Sequence, residues 1–316
     1  MQLEVFFIKI FHRVKGYLLE SGFLKPSPTQ RELSQQLRQK AASLDSPDTT
    51  NLVEPAWAKY RIAMRANLLQ KDARNFLNWP TICSAMFHEP DRIELEYLKS
   101  LPQWERLRKV LKETSVGNPP GYPGFLSSSG NYIHNTYILT KFCGFFNFDI
   151  SKARKVVEFG GGYGSMCRLV YNLGFSGNYA IFDLPEFCLL QEYFLKSWNK
   201  NIKVSLRPIS QNQPGVALLS QQEDLQKQLE NFNGCPDVFI ATWSISESPV
   251  ELREKVFEVV GQSKYIFIAF HDVFAKVDNV DYFRQFTQLH NNYDWKQEEI
   301  GHLPGNFLLA GKRKEI

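Results

Sequence analysis

Cysteine is scarce in this chain of 316 residues: Cys83, Cys143, Cys167, Cys188 and Cys235 are all there are, and no two form a Cys-x-x-Cys pair. An odd, scattered set excludes a disulfide framework and suits reduced thiols in a cytoplasmic compartment. Long apolar runs are lacking too. The richest, residues 3–19, is interrupted by Glu4, Lys9, Arg13 and Lys15, so it cannot span a bilayer. With no basic leader before it and no small-residue cleavage site after it, it does not read as a signal peptide. An amphipathic helix packed on its own protein is expected, and the basic residues beside Phe6, Phe7 and Phe11 keep a peripheral membrane contact open.

Charge of one sign is also in short supply. The net charge is +4, and residues 1–110 hold 17 basic against 12 acidic side chains, which leaves the remainder near neutral. That is too mild for nucleic acid, where basic stripes with stacking aromatics are required. What the chain does have is apolar bulk. Hydrophobic residues make up 43%, aromatics 14% and charged residues only 22%, enough for a sizeable core and too little charge for disorder.

Residues 26–55 are polar and carry the turn signal Ser46-Pro47-Asp48. Residues 56–69 and 93–111 have apolar side chains at helical spacing, so residues 1–115 read as a helical extension. The run Gly117-Asn118-Pro119-Pro120-Gly121-Tyr122-Pro123-Gly124 breaks both helix and ladder, and marks the boundary as a linker or as a lid. Residues 116–316 form the second unit. A helix over 131–146 leads into strands over 155–159, 178–183, 237–243 and 265–271, with helices near 163–173, 185–198, 221–232 and 250–260 between them. Such alternation means parallel strands joined by right-handed crossovers. A last helix over 280–290 precedes strands over 295–299 and 306–311, a terminal hairpin. No internal repeat is present.

The most informative residues are Val156-Val157-Glu158-Phe159-Gly160-Gly161-Gly162-Tyr163-Gly164, an apolar strand that ends in a carboxylate and opens through glycines into a helix. Glycines allow a sharp turn and a close backbone approach, and the helix start offers unpaired N–H groups. Dinucleotides and S-adenosylmethionine compete for such a loop. The dinucleotide pattern wants a third glycine where Ser165 stands, and Glu158 would face a pyrophosphate unfavourably while welcoming a sulfonium and an amino group. Asp183, at the end of the next strand, is placed to accept both ribose hydroxyls. Singly, the loop could be a bare turn and Asp183 a cap ahead of Pro185; together, two strand-end acids and three spaced glycines favour adenosylmethionine.

At these residues the chain resembles the class I S-adenosylmethionine-dependent methyltransferases, and Phe182-Asp183-Leu184-Pro185 is similar to a phrase of small-molecule O-methyltransferases. Gly117-Asn118-Pro119, residues 131–141, the glycine loop with Asp183-Leu184-Pro185-Glu186, residues 244–247 and His302-Leu303-Pro304-Gly305-Asn306 look more closely like the bacterial putative sugar O-methyltransferase family, over most of residues 115–312. The resemblance implies a doubly wound, Rossmann-like, seven-stranded and mostly parallel sheet with a C-terminal antiparallel hairpin. It implies that Glu158, Gly160, Gly162 and Gly164 hold the methionine portion of the cofactor and Asp183 the ribose, with Gly161, Tyr163 and Leu184 beside them. Thr242 and Trp243 lie where strand 237–243, which matches the fourth strand of these families, meets the ligand.

Methyl transfer from a sulfonium to oxygen demands alignment first and a base second. Plant-type O-methyltransferases carry a catalytic His-Asp pair after this strand; here Ser244-Ile245-Ser246-Glu247 follows, so the base lies elsewhere. His271 and Asp272 at the end of strand 265–271 come first, then Glu247; His134 and His302 could reach the site from the covering helix and the hairpin. Asp272, Asp278 and Asp281 match no metal motif, so no metal is expected. The expected function is methylation of a hydroxyl on a sugar, in a glycan or a nucleotide-linked sugar, with a non-sugar small molecule or a non-catalytic adenosylmethionine-binding scaffold as alternatives.

Overall fold

The computed structural model describes residues 2–45, 55–86, 91–210 and 212–315. The turn signal Ser46-Pro47-Asp48 lies outside them. Helices α1 (Gln2–Glu20), α2 (Pro28–Ala42), α3 (Pro55–Gln70), α4 (Pro80–Met86), α5 (Arg92–Ser100), α6 (Trp104–Val110) and α7 (Gly130–Phe145) precede the first strand. The single helix expected over 93–111 is two, because Pro102 cannot donate an N–H to a preceding turn and the chain breaks there. The alternating half follows as β1 (Lys155–Phe159), α8 (Ser165–Asn172), β2 (Asn178–Phe182), α9 (Pro185–Trp198), β3 (Val204–Ser205), β4 (Gly215–Leu219), α10 (Gln222–Asn231), β5 (Val238–Thr242), α11 (Val250–Val260) and β6 (Tyr265–His271). A small ribbon of β7 (Val273–Phe274) and β8 (Val277–Asp278), helix α12 (Asn279–Leu289) and the antiparallel pair β9 (Tyr293–Glu299) and β10 (Asn306–Arg313) complete it.

The main sheet has the order β3-β4-β2-β1-β5-β6-β10-β9, parallel except for the last two strands. It is the doubly wound, Rossmann-like arrangement with its terminal hairpin. Eight strands stand where seven were expected, since the two-residue β3 pairs with β4 at the edge. The order reverses between β1 and β5, and the carboxyl ends of the strands on either side of that switch form the crevice where such sheets take ligands.

Successive strand residues divide between two cores, as the period of two requires. Val157, Phe159, Ala180 and Phe182 face α10, α11 and α12, whereas Val156, Tyr179 and Ile181 face the other side, where the amino-terminal helices, α7, α8 and α9 lie. Glu158 follows the parity of Val156 and so enters this second core. Residues on both sides of position 115 share it: Phe76 packs its ring 5.5 Å from Tyr163 and 5.9 Å from Phe194. The 117–124 loop belongs to this joint, with Asn118 buried and donating to Asn75 at 2.9 Å. Helix α1 is fastened on one side by His12 to Asn78 and by Glu20, which accepts from Asn75 at 3.1 Å. Phe11 and Tyr17 are exposed on it. Among the described residues no helix is long and apolar enough to cross a membrane.

Candidate functional site

At the carboxyl edge of β1 the backbone must reverse under the start of α8. Gly160 does this with φ of +69°, and a Cβ there would lie 2.2 Å from that of Ser244. The Gly160 N–H donates to Phe182 O at 2.9 Å, and the Ser244 hydroxyl donates to Phe159 O, so the tips of β1, β2 and the segment after β5 are tied together. A Cβ on Gly161 would meet Ile181 at 2.6 Å and the Glu158 carboxylate at 3.1 Å. The loop is a cradle with no room for side chains on its inner wall.

Above it opens a cavity of about 760 Å³. That is the size of a site for a ligand of cofactor dimensions. Of the residues singled out for a cofactor, Glu158, Gly160, Gly161, Gly162, Tyr163, Asp183, Leu184, Thr242 and Trp243 line this one space. Gly164 does not. It turns the chain into α8 at φ of +94°, with the position of its missing Cβ 3.5 Å from Phe194, so its place is in the packing beneath the loop.

Two acids, Glu158 and Asp183, stand at the strand tips beneath the crevice. Glu158 is buried and accepts from the Tyr179 hydroxyl at 2.9 Å; burial pushes its carboxyl up to about 8, helped by the nearby Asp183. Asp183 accepts from Leu184 N–H and from the Gln191 amide, both at 2.7 Å. Burial nonetheless drives it up to about 7. The Asp183 carboxylate does not cap α9: the cap position is Leu184, with no side-chain bond. Two adjacent acids held away from water are ill suited to a diphosphate and well suited to a cation.

Of the opposite wall, only His134 of the covering helix was named from the sequence. Trp57 and Arg61 from α3, Met86 from α4 and Asn131, His134 and Asn135 from α7 close the cavity over the strand ends. Arg61 is held by a buried ion pair with Glu186 at 2.9 Å. Ser220, Gln221, Gln222 and Glu223, after β4, form a further part of the lining. They were missed because β4 itself was missed. Its sole signal is Gly215-Val216-Ala217-Leu218-Leu219, a five-residue apolar run after Pro214 with no alternation, since both faces are buried.

Trp243 is the bulky residue of the crevice in a left-handed conformation, at φ of +63°. Side chains of this size rarely adopt it, and strain of that kind gathers at ligand sites. The strain is offset by its backbone N–H to Ala269 O and its indole Nε1–H to Asn306 Oδ1, each 2.7 Å. Its ring neighbours two imidazoles, stacked on His134 at 5.1 Å and tilted against His271 at 6.3 Å.

His271 and Glu247 both line the cavity and face each other at 3.3 Å. Asp272, expected beside them, does not: its exposed carboxylate accepts from Val273 N–H at 2.7 Å and its N–H donates to Gly305 O at 2.7 Å. Strand alternation turns it away from His271, and it fastens the hairpin. Asp278 caps α12 through Asp281 N–H, and Asp281 pairs with Arg284. His134 and His302 meet on one acid that the sequence did not reveal. Glu94 of α5 is 1% exposed and lies 2.6 Å from His134 Nδ1 and 3.0 Å from His302 Nε2.

No protein-family model matches the sequence, and no curated protein matches it. The resemblance to the sugar O-methyltransferase family therefore rests on the phrases quoted above alone. Solved structures do match. Magnesium protoporphyrin IX methyltransferase from Synechocystis PCC 6803 with bound SAM shares 12% identity over 71% of this chain and 96% of that one, with a TM-score of 0.41. Precorrin-6y C5,15-methyltransferase from Geobacter metallireducens shares 13% over 52% and 81%, with a TM-score of 0.34. The fibrillarin pre-rRNA processing protein of Methanococcus jannaschii shares 10% over 52% and 69%, with a TM-score of 0.36. These are distant likenesses of fold, and the reading of the site stands on its own residues.

Proposed function

We propose that this protein binds S-adenosylmethionine in the crevice above β1 and β2 and passes its methyl group to a hydroxyl oxygen, with a sugar as the acceptor class. The observation that carries the reading is the pair of buried acids, Glu158 and Asp183, at the tips of neighbouring parallel strands beside a cradle that admits no side chain. A sulfonium donor supplies an electrophilic methyl group and a positive charge that disappears on transfer. Glu158 offers a carboxylate to the cationic amino acid portion, Asp183 to ribose hydroxyls, and the segment 220–223 a wall for the base. The phrases shared with the sugar O-methyltransferase family support the acceptor class, and Trp57 with the amides of Asn131 and Asn135 offers an aromatic face beside hydrogen-bonding groups.

The chain's own contribution to the reaction is position and proton transfer. The acceptor lies between the donor and the wall of α3, α4 and α7, because in-line attack comes from the side away from sulfur. An imidazole on this wall takes the hydroxyl proton.

The test is direct. Incubation with S-adenosylmethionine and a panel of glycans and nucleotide-linked sugars is expected to add the mass of one methylene to at least one of them. A gain confined to phenols, carboxylic acids or amines would replace the acceptor class, and no gain with any acceptor would remove the activity. Asp183→Ala is expected to weaken S-adenosylhomocysteine binding about ten- to hundredfold, the worth of a charge-assisted hydrogen bond. Unchanged affinity in a calorimetric titration removes Asp183 from the site.

A further inference from the structure

Three imidazoles stand near the crevice, and their surroundings differ. His271 is 37% exposed, and its contact with Glu247 is 3.3 Å long. His134 is buried, lines the cavity, and brings Nδ1 to 2.6 Å from Glu94. His302 holds the same carboxylate at 3.0 Å and packs edge-on against Tyr137, one helical turn from His134. His134 also lies flat on Trp243, whose indole is fixed by Asn306. The ring is thus clamped by a carboxylate in its own plane and an aromatic wall on its face.

Resting on the reading of the site as a methyltransferase crevice, we infer that His134 is the general base of the transfer, that Glu94 is its positioning residue, and that His302 holds Glu94 in place. A carboxylate at Nδ1 selects the tautomer that carries its proton on Nδ1, which leaves the Nε2 lone pair as the acceptor. As the acceptor oxygen bonds to the methyl carbon, its O–H bond breaks and the proton goes to His134 Nε2. The methyl–sulfur bond breaks with its electron pair staying on sulfur, which becomes a neutral thioether. The positive charge lost from sulfur reappears on the imidazole, where the anionic Glu94 stabilises it. This is the constellation of base and orienting acid that general-base catalysis requires, drawn from α7 and α5 and from the acceptor side of the cavity.

Position supports the choice over His271. The glycine loop holds the donor from below, so a base must work on the oxygen side, and that wall is built by α7 among others. His134 sits there with Asn131 and Asn135 of the same helix, whereas His271 lines the cavity from the tip of β6, among the strand ends.

The experiment has one readout without turnover and one with it. Nitrogen-15 spectra of histidine-labelled protein saturated with S-adenosylhomocysteine are expected to show His134 as the neutral Nδ1–H tautomer near pH 7.5, and Glu94→Gln to abolish that preference. A His134 locked with its proton on Nε2, or charged throughout the range from pH 6 to 9, overturns the inference. With S-adenosylmethionine and a panel of methyl glycosides as hydroxyl probes, His134→Gln is expected to lose about 10²- to 10⁴-fold in turnover, with S-adenosylhomocysteine affinity within about threefold of the parent. His271→Gln is expected to lose less. The reverse order, or parent-level turnover in His134→Gln, overturns the assignment of the base and leaves the methyltransferase reading intact; failure of the parent to bind S-adenosylhomocysteine overturns both.

Discussion

Glu158 is the residue whose chemistry best separates a cation site from a phosphate site. In the ligand-free protein burial lifts it to about 8 and Asp183 to about 7, so both hold protons at a pH where solvated carboxyls do not. A cationic ligand lowers both values and expels protons on binding. Affinity for S-adenosylhomocysteine, whose amino group brings the charge, is therefore expected to fall as pH drops from about 8 to 6, by at most roughly tenfold per pH unit for each proton displaced. Calorimetry in buffers of different protonation enthalpy checks this; affinity independent of pH, with no proton released, contradicts it. The same residue costs stability. Because its folded value lies above the ordinary 4.5, its contribution to stability is complete below that value and is lost as pH rises through about 8. Glu158→Gln cannot ionise, so the ligand-free variant is expected to melt higher than the parent near pH 9 while binding S-adenosylhomocysteine about ten- to hundredfold more weakly. A variant that melts lower at that pH would show that Glu158 is not strained by its burial.

Elements differ in how much of them local chemistry dictates. The turn from β1 into α8 was legible because glycine, acid and apolar strand say the same thing within nine residues; α9 begins at Pro185, where proline presets the first turn, and α11 follows directly on Pro249. Pro102, in contrast, was passed over in the apolar spacing of 93–111, and the run of β4 was too short to stand out between helices. Gly160→Ala tests the turn itself. Its φ of +69° and the Ser244 side chain leave no room for a Cβ, so a loss of about 1–3 kcal/mol is expected in denaturant unfolding, together with weaker cofactor affinity. An alanine variant with parent stability would mean that the loop relaxes freely.

The whole molecule adds what no local pattern contains. Arg61, Trp57 and Met86 reach the cavity, and Glu94 reaches His134 on its wall, only because α3, α4 and α5 fold back over the strand ends, and each looks like an ordinary helix residue in the sequence. Nothing nearby marks Arg61 as the partner of Glu186, 125 positions away. Arg61→Met leaves the fully buried Glu186 carboxylate without that guanidinium, and a loss of about 3–5 kcal/mol is expected from unfolding curves. A loss below about 1 kcal/mol would show that another group or water takes its place. The cover and the sheet thus form the crevice jointly, and in the proposed function the donor belongs to the strand tips and the acceptor to the helices. The most direct measurement is the melting temperature with S-adenosylhomocysteine or NAD at matched concentrations. A specific ligand at a hundred times its Kd adds about 2.7 kcal/mol of stability. The expected result is a saturable rise with S-adenosylhomocysteine that Asp183→Ala largely removes, and none with NAD; a rise with NAD alone, or with neither, contradicts a crevice built for a cationic methyl donor.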